Sequence, residues 1–405
     1  MSRRQSGSSN KPGKVVLAYS GGLDTSVAVK WLANQGYEVI AYMADVGQEC
    51  DFKASEQRAM SAGASKVIVD DLKKEFVYDY VFRSLKADAV YEQGYLLATA
   101  LSRPIIAKGL VEAAHKEGAG SVSHGCTGKG NDQVRFEVAI GALDPELKVI
   151  APVRIWKLKT REQEIEYAKK NKIHIDTTKK KPYSIDRNLW GISIEAGKLE
   201  DPYHPPDEDI YQITKGVDKA GAKPVHVQVE FKKGEPVALN GKKMDGVSLI
   251  LKLSGIAGDA GVGRSDMIEN RLVGIKSREI YEAPAGWTLY KAHKALESLV
   301  LDRELLHFKE TVALKYAELV YYGLWFTPLK TALDSFIDET QQQVNGTVRL
   351  KLHKGNCEVT GRKSPYSLYR EELATYGKGD KFDQSLAEGF IKLWGLPYRL
   401  SGTKK

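Results

Sequence analysis

Through about residue 155, short apolar runs alternate with stretches whose hydrophobic positions recur every three or four residues. Lys14-Val15-Val16-Leu17-Ala18 reads as a buried strand, and Val27, Ala28, Trp31 and Leu32 mark one face of a helix that Gly36 closes. Val39-Ile40-Ala41-Tyr42 predicts a second strand, Phe52 to Ala62 a helix, and Val67-Ile68-Val69 a third strand. A helix from about Ile105 to Lys116 stops at Gly118; strands follow at Ser121-Val122-Ser123 and Lys148-Val149-Ile150-Ala151. Repeated strand–helix units of this kind predict an α/β domain, a parallel sheet covered on both faces. Such sheets bind ligands beyond the carboxyl ends of their strands. Two glycine-rich loops, after Ala18 and after Ser123, fall there.

The pattern then changes. A helix near Arg161 to Asn171 and the Lys179-Lys180-Lys181-Pro182 run mark a domain junction. Val225 to Phe231 alternates as a strand, turns at Lys233-Gly234 and meets a partner at Val237-Ala238-Leu239. Val348 to Leu352 pairs with Glu358-Val359 across Gly355-Asn356, and helical segments cover roughly 286–321 and 328–342. This second domain is α+β. After Gly377-Lys378-Gly379-Asp380, residues Leu386, Phe390, Ile391, Leu393 and Trp394 give a tail helix an apolar face with no domain of its own to pack on. The expected division is a disordered tail at 1–13, domains at 14–178 and 179–376, and a tail helix at 377–405.

Composition narrows the function. Hydrophobic residues make up 42% and charged residues 28%, a soluble globular balance, and no run reaches the roughly 20 apolar residues that cross a bilayer. No apolar segment follows the basic, Ser/Gly-rich first dozen residues, so a cytoplasmic protein without membrane association is expected. Cys50, Cys126 and Cys357 are isolated, forming neither a disulfide framework nor a CxxC metal pair. The net charge is +8, but its basic residues are scattered, which favours small polyanionic ligands over nucleic acid.

The loop Ser20-Gly21-Gly22-Leu23-Asp24-Thr25-Ser26 follows the first strand and opens the first helix. Small residues let backbone N–H groups approach phosphate oxygens at a positively polarised helix terminus. Ser20, Thr25 and Ser26 add hydroxyl donors, and Asp24 suits a bridging Mg²⁺ rather than bare phosphate. The competing account is a tight turn with Asp24-Thr25-Ser26 as a helix cap. The loop is neither a Walker A motif nor a GxGxxG fingerprint. In the second loop, Ser123 to Phe136, three glycines precede Asn131, Asp132 and Arg135 in a first helical turn. Those types supply acceptors for an ammonium and a cation for a carboxylate, as a zwitterion needs. A Gly-rich loop with a capped helix is the plainer account.

SGGLDTS resembles the PP-loop of the ATP pyrophosphatases, which cleave ATP between the α and β phosphates. SHGCTGKGNDQVRF at 123–136 resembles the SHG-x-TGKGND-x-RF signature of the argininosuccinate synthetases. Further matching pieces are DVGQ at 45–48, YLLATALSRP at 95–104, KVIAPVR at 148–154, PYSIDRNLWGISIEAG at 182–197, GVGRSDMIENRLVGIKSREIYEAPAG at 261–286 and KYAELVYYGLW at 315–325. The resemblance covers nearly the whole chain from about residue 14.

It implies an adenine nucleotide alpha hydrolase-like domain, a synthetase domain and an oligomerisation helix. The implied enzyme is an AMP-forming carbon–nitrogen ligase joining L-citrulline to L-aspartate in arginine biosynthesis, with ATP and Mg²⁺ and no direct protein metal cage, as a homotetramer. Carried over by position, Ala18, Tyr19, Ser20, Gly21, Gly22, Leu23, Asp24, Thr25, Ser26, Ala44 and Gly125 hold ATP, with Asp24, Ser20 and Ser26 closest to the chemistry. Thr127, Asn131 and Asp132 bind aspartate. Tyr95, Thr99, Asn131, Arg135, Ser184, Ser193, Glu269 and Tyr281 bind citrulline. Two departures matter: Ala100 stands where some relatives place a contacting Ser, leaving Thr99 to make that contact, and Cys126 takes the variable position with no catalytic role expected. Two other readings keep the loop. A tRNA thiolase needs a reactive Cys pair, and a nucleotide sensor needs no second ligand loop.

Overall fold

The computed structural model describes residues 13–173 and 183–402. The expected amino-terminal tail before Gly13 and the Lys179–Pro182 run lie outside those residues.

Strands β1 (Lys14–Ala18), β2 (Glu38–Asp45), β3 (Lys66–Asp71), β4 (Ser121–Ser123) and β5 (Lys148–Ile150) form one all-parallel sheet in the order β3-β2-β1-β4-β5. Its central strands are buried along their middles, as a sheet covered on both faces requires. Helices Leu23–Asn34 and Phe52–Ala62 pack on one face, and helices Ala98–Glu117 and Asp132–Leu143 on the other.

The Ala98–Glu117 helix begins seven residues before the expected Ile105 and carries Pro104 inside it. Buried residues surround it on all sides, so no amphipathic period marks its first turns, and the proline removes one backbone hydrogen bond without ending it. The helical span expected at 286–321 is two helices, Pro284–Val300 and Arg303–Tyr321. Between them Asp302 caps the second by accepting from the N–H groups of Glu304 (3.0 Å) and Leu305 (3.1 Å).

Strands β6 (Ser184–Arg187), β7 (Ile192–Glu195), β11 (Arg264–Asn270) and β12 (Lys276–Glu282) make an antiparallel sheet in the order β11-β12-β7-β6, which periodicity does not reveal. The expected hairpins are present in a second antiparallel sheet. It contains β8 (Val225–Lys232), β9 (Glu235–Leu239), β10 (Lys242–Lys243), β13 (Gly346–His353) and β14 (Asn356–Lys363), in the order β10-β9-β8-β13-β14. The largest apolar core joins the two halves: Leu97, Leu101 and Ile105 share it with Trp190, Leu289 and Tyr321. Helices Leu386–Trp394 and Leu396–Gly402 bury nothing, with Phe390 and Ile391 62% exposed and Leu393 74% exposed.

Candidate functional site

Strand order reverses between β1 and β4, and the two glycine-rich loops leave the carboxyl ends of those neighbouring strands. This switch point is where open α/β sheets form their ligand crevice. Gly21 adopts φ +78°, and a Cβ there would lie 2.6 Å from Ser55 Oγ, so the loop's tight path demands glycine. The helix starts at Leu23 with Gly22 before it and no side chain capping it. Asp24, Thr25 and Ser26 therefore do not serve as its cap, and its first N–H groups remain for an anion.

A cavity of about 300 Å³ opens over this terminus. Ala18, Tyr19, Ser20, Gly22, Leu23, Asp24, Thr25, Ala44 and Gly125 line it. Gly21 and Ser26 do not. Ser26 is fully buried and donates to the Gly22 carbonyl at 2.7 Å, with Tyr19 Oη 2.9 Å away, so its hydroxyl shapes the loop from behind. Asp24 is half-buried beside Glu164, whose carboxyl burial and the Asp24 charge push up to about 8. One Glu164 oxygen is buried without a partner. Two adjoining carboxylates at a phosphate-binding terminus are a donor set that fits a hard divalent cation.

The second loop packs directly on the first: a Cβ on Gly125 would sit 2.9 Å from Thr25 Cγ2. His124 Nδ1 accepts from the Cys126 N–H at 3.2 Å, which leaves Nε2 to donate to Glu137 at 3.0 Å. The ring thereby fixes the loop's backbone. Asn131 precedes the Asp132–Leu143 helix; its Nδ2 donates to Tyr321 Oη at 2.8 Å, and its Oδ1 accepts from the Leu272 N–H at 2.9 Å. Asp132 accepts from Arg135 (3.0 Å) and Arg103 (2.7 Å). Burial opposes its ionisation, but the two guanidinium groups overcome that and hold its carboxyl below the usual range. Thr127 is exposed on the loop's rim.

The third part of the site is one face of the β11-β12-β7-β6 sheet. Cross-strand neighbours share a face. Register places Ser184 opposite Glu195, Asp186 opposite Ser193, Ser193 opposite Tyr281, and Ser277 opposite Glu269. The other face is apolar, with Ile194 and Ile280 packed on Leu199 and Ile210. Four of the expected citrulline residues, Ser184, Ser193, Glu269 and Tyr281, thus stand on one polar face.

Glu269, 3% exposed, accepts from Tyr281 Oη at 2.5 Å and Tyr321 Oη at 2.6 Å. Burial pushes its carboxyl up, and the two phenols offset part of that. Tyr95 stacks on Tyr281 with ring centroids 4.1 Å apart, and its hydroxyl accepts from the Ala100 N–H at 3.1 Å. Thr99 and Ser193 hydroxyls meet at 3.2 Å. Arg135 Nε donates to the Tyr321 carbonyl at 2.9 Å, while its Nη2 is buried without a partner. These bonds gather one buried carboxylate and one buried, unpartnered guanidinium nitrogen into a cage of tyrosines. Ser184 is exposed at the edge strand, apart from these bonds.

Sequence reasoning missed Arg103, Asp186, Arg187, His124 and Phe136, all lining the nucleotide cavity. It also missed Tyr321, and Glu195 and Glu279, which share Arg271. All eight lay inside quoted motif strings, the one signal available. Among the described residues, the one cluster with metal-like spacing is Asp88, His293 and Glu297. Lys309 Nζ already lies 2.6 Å from Asp88 and 3.0 Å from Glu297, so an ammonium balances that cluster.

A parallel sheet, a glycine loop on a bare helix terminus and a buried carboxylate–guanidinium cluster beside it are the site of an α/β protein of the nucleotide-binding class. Two family models match: the arginosuccinate synthase N-terminal HUP domain over residues 14–174 and the arginosuccinate synthase C-terminal domain over 183–401. Proteins named argininosuccinate synthase from Caldanaerobacter subterraneus subsp. tengcongensis, Thermoanaerobacter sp. and Carboxydothermus hydrogenoformans are 60%, 58% and 57% identical to it over 388 residues. Those alignments span 96% of this chain and 95%, 95% and 97% of the relatives. The chain belongs to the argininosuccinate synthase family. A solved structure described as a predicted subunit of a tRNA methyltransferase from Methanocaldococcus jannaschii is similar over 38% of this chain and 75% of that one. At 15% identity and a TM-score of 0.28, that likeness is too slight to bear on the fold.

Proposed function

We propose that the protein joins L-citrulline to L-aspartate at the expense of ATP, forming argininosuccinate, AMP and diphosphate. One observation carries the reading: the nucleotide cavity and the zwitterion cage adjoin, with Asp132 bonded to a guanidinium from each side. The ureido oxygen of citrulline attacks the α-phosphorus of ATP, pyrophosphate leaves, and the aspartate amine then displaces AMP from the adenylated carbon. In-line transfer of this kind depends on placing charge and donors rather than on a protein nucleophile.

In this reading Ala18 to Ser26, Ala44 and Gly125 form the ATP site, with Ser26 acting through the loop's shape. Asp24, with Glu164 behind it, holds the Mg²⁺ that accompanies the polyphosphate; the ion neutralises phosphate charge. Arg135 takes the citrulline carboxylate on its open Nη2, and Glu269 takes the ammonium between Tyr281 and Tyr321. Tyr95, Thr99, Ser193 and Asn131 wall the neutral tail, and Ser184 contributes from the edge. Thr127, Asn131 and Asp132 receive aspartate.

The exposed apolar faces of the tail helices support assembly into a homotetramer, and the enzyme works in the cytoplasm. The boundaries 14–178, 179–376 and 377–405 are their functional division. Light scattering of the full chain against one ended at Gly377 tests the assembly, since a truncated chain of full oligomeric mass rules it out. Product analysis tests the reaction. AMP and pyrophosphate should form together and only with citrulline present; ADP and phosphate as the main products would refute it.

A further inference from the structure

The roles above leave two cations of the nucleotide cavity unused, Arg103 and Arg187, and Arg187 is paired with Glu49. Arg103 projects from the Ala98–Glu117 helix into the wall where both loops and the polar sheet face meet. Its side chain is 14% accessible. One nitrogen, Nη2, donates to both Asp132 Oδ2 (2.7 Å) and Asp186 Oδ2 (2.6 Å), while Nη1 reaches Ser102 Oγ at 3.1 Å. Nε is buried and has no partner. A buried N–H left unpaired is costly, so this fork is incompletely used as it stands.

Asp132 has the complementary difficulty. Both of its oxygens are occupied, Oδ1 by Arg135 and Oδ2 by Arg103. Each oxygen keeps lone-pair capacity, but the charge is shared between two guanidinium groups, so an incoming ammonium gains a stronger acceptor when one arginine turns away. Arg135 is anchored by its Nε on the Tyr321 carbonyl and by stacking over the Tyr321 ring, 4.8 Å from its centroid. Arg103 has no such anchor on Nε. Its guanidinium lies 6.0 Å from the Phe136 ring centroid, too far for close stacking. Of the two, Arg103 is the one whose bonds all lie at the head of the guanidinium, two of them to carboxylates that line the cavity, so a phosphate can replace them without disturbing the backbone.

We propose that Arg103 is the cation that takes the α-phosphate, and that in doing so it vacates Asp132 for the amine of aspartate. The inference rests on the ligase reading above and deepens it. In the first step the ureido oxygen forms a bond to the α-phosphorus as the bond to the bridging oxygen breaks. Pyrophosphate carries away that electron pair. Arg103 donates hydrogen bonds to the non-bridging α-oxygens and moves no proton. Its departure from Asp132 couples formation of the adenylate to opening of the second substrate's site, which orders the two steps. Arg103 is thus a substrate-contacting residue whose resting partners are the carboxylates it later releases.

The test is equilibrium binding of AMP and of adenosine by calorimetry to the intact protein and to Arg103→Gln, Arg103→Lys and Asp186→Asn, with melting temperatures alongside. Arg103→Gln should weaken AMP about 10- to 100-fold, the scale of a lost charge-assisted contact, and leave adenosine unchanged. Arg103→Lys should restore part of the AMP affinity. Asp186→Asn, which removes a competing carboxylate, should strengthen AMP binding. In turnover, Arg103→Gln should slow citrulline-dependent ATP–pyrophosphate exchange without raising the KM for aspartate. A residue that merely holds Asp132 and Asp186 in place would raise that KM and weaken AMP and adenosine alike, overturning the proposal. AMP affinity within threefold of wild type in Arg103→Gln would also overturn it. A wild-type protein that bound neither compound would defeat the nucleotide reading itself, a different and recognisable result.

Discussion

The two ends of the site are built in opposite ways. The nucleotide end is local: Ala18 to Ser26 are consecutive, and a turn of glycines and one helix terminus do the positioning. The cage end is assembled: Tyr95, Arg135, Glu269, Tyr281 and Tyr321 come from five separate elements and meet through strand register and buried hydrogen bonds. A local site tolerates change in the rest of the fold and fails when its own loop is altered. An assembled site fails whenever one support moves, because Glu269, Tyr281, Tyr321 and Arg135 hold one another by hydrogen bonds. Gly323 illustrates this: at φ +76°, a Cβ would lie 2.7 Å from Arg135 Cα, so even a methyl group on a distant turn would displace the cage's cation.

The largest effect should come from the local end. Asp24→Ala removes the exposed member of the carboxylate pair at the phosphate-binding terminus. Pyrophosphate release should fall on the order of 10²–10³-fold, the scale seen when a preorganised charge is lost, while the melting temperature hardly changes. Near wild-type release would mean that the metal is held elsewhere. Arg135→Lys probes the assembled end. A lysine keeps the charge but cannot serve Tyr321, Asp132 and a ligand carboxylate together. The KM for citrulline should rise about tenfold or more, with the KM for ATP within about twofold. Equal losses for both substrates would show that the two ends are not separable.

That contrast also explains what could be read in the sequence. Parallel strands buried on both faces are continuous apolar runs, and the nucleotide loop is contiguous, so both stood out. The polar-faced sheet did not, because Ser193, Glu195, Ser277 and Glu279 read as ordinary surface residues until register sets them side by side. The start of the Ala98–Glu117 helix was hidden for a related reason, since a helix buried all round has no polar face to set its period. Ser184, Ser193, Glu269 and Tyr281 were reached through family resemblance alone. Their physical role becomes legible only with the strands in place.

A smaller effect should separate the ends by pH. Burial, then the charges of Glu195 and Glu269, push Glu279 up to about 9 from an ordinary 4.5. A carboxyl raised in the fold stays protonated while the unfolded chain ionises. Its share of stability is therefore full below about pH 4.5 and lost as pH rises towards 9. Glu279→Gln removes that dependence. Its melting temperature should match wild type near pH 4.5 and exceed it by roughly 2–4 °C at pH 8, the shift expected for about 1 kcal/mol in a domain of this size. A constant difference across that range would show that Glu279 ionises normally beside Arg271.

The smallest effect belongs to Cys126, which lines the nucleotide cavity in the second loop and so tests whether proximity alone confers a role. Burial is the main reason its thiol is pushed well above the usual range, with Asp132 adding to the effect and Arg103 opposing it. A thiol held protonated is a poor nucleophile at neutral pH. The backbone carries the local contribution instead, since the Cys126 N–H donates to His124 Nδ1 and would do so with any side chain. Cys126→Ser should therefore keep kcat and both amino-acid KM values within about twofold, and iodoacetamide should modify the native protein slowly. Complete loss of activity in Cys126→Ser, or rapid alkylation that blocks turnover, would return a thiol-dependent transfer to consideration. It would also mean that the nucleotide end depends on a side chain that its glycine loops do not position.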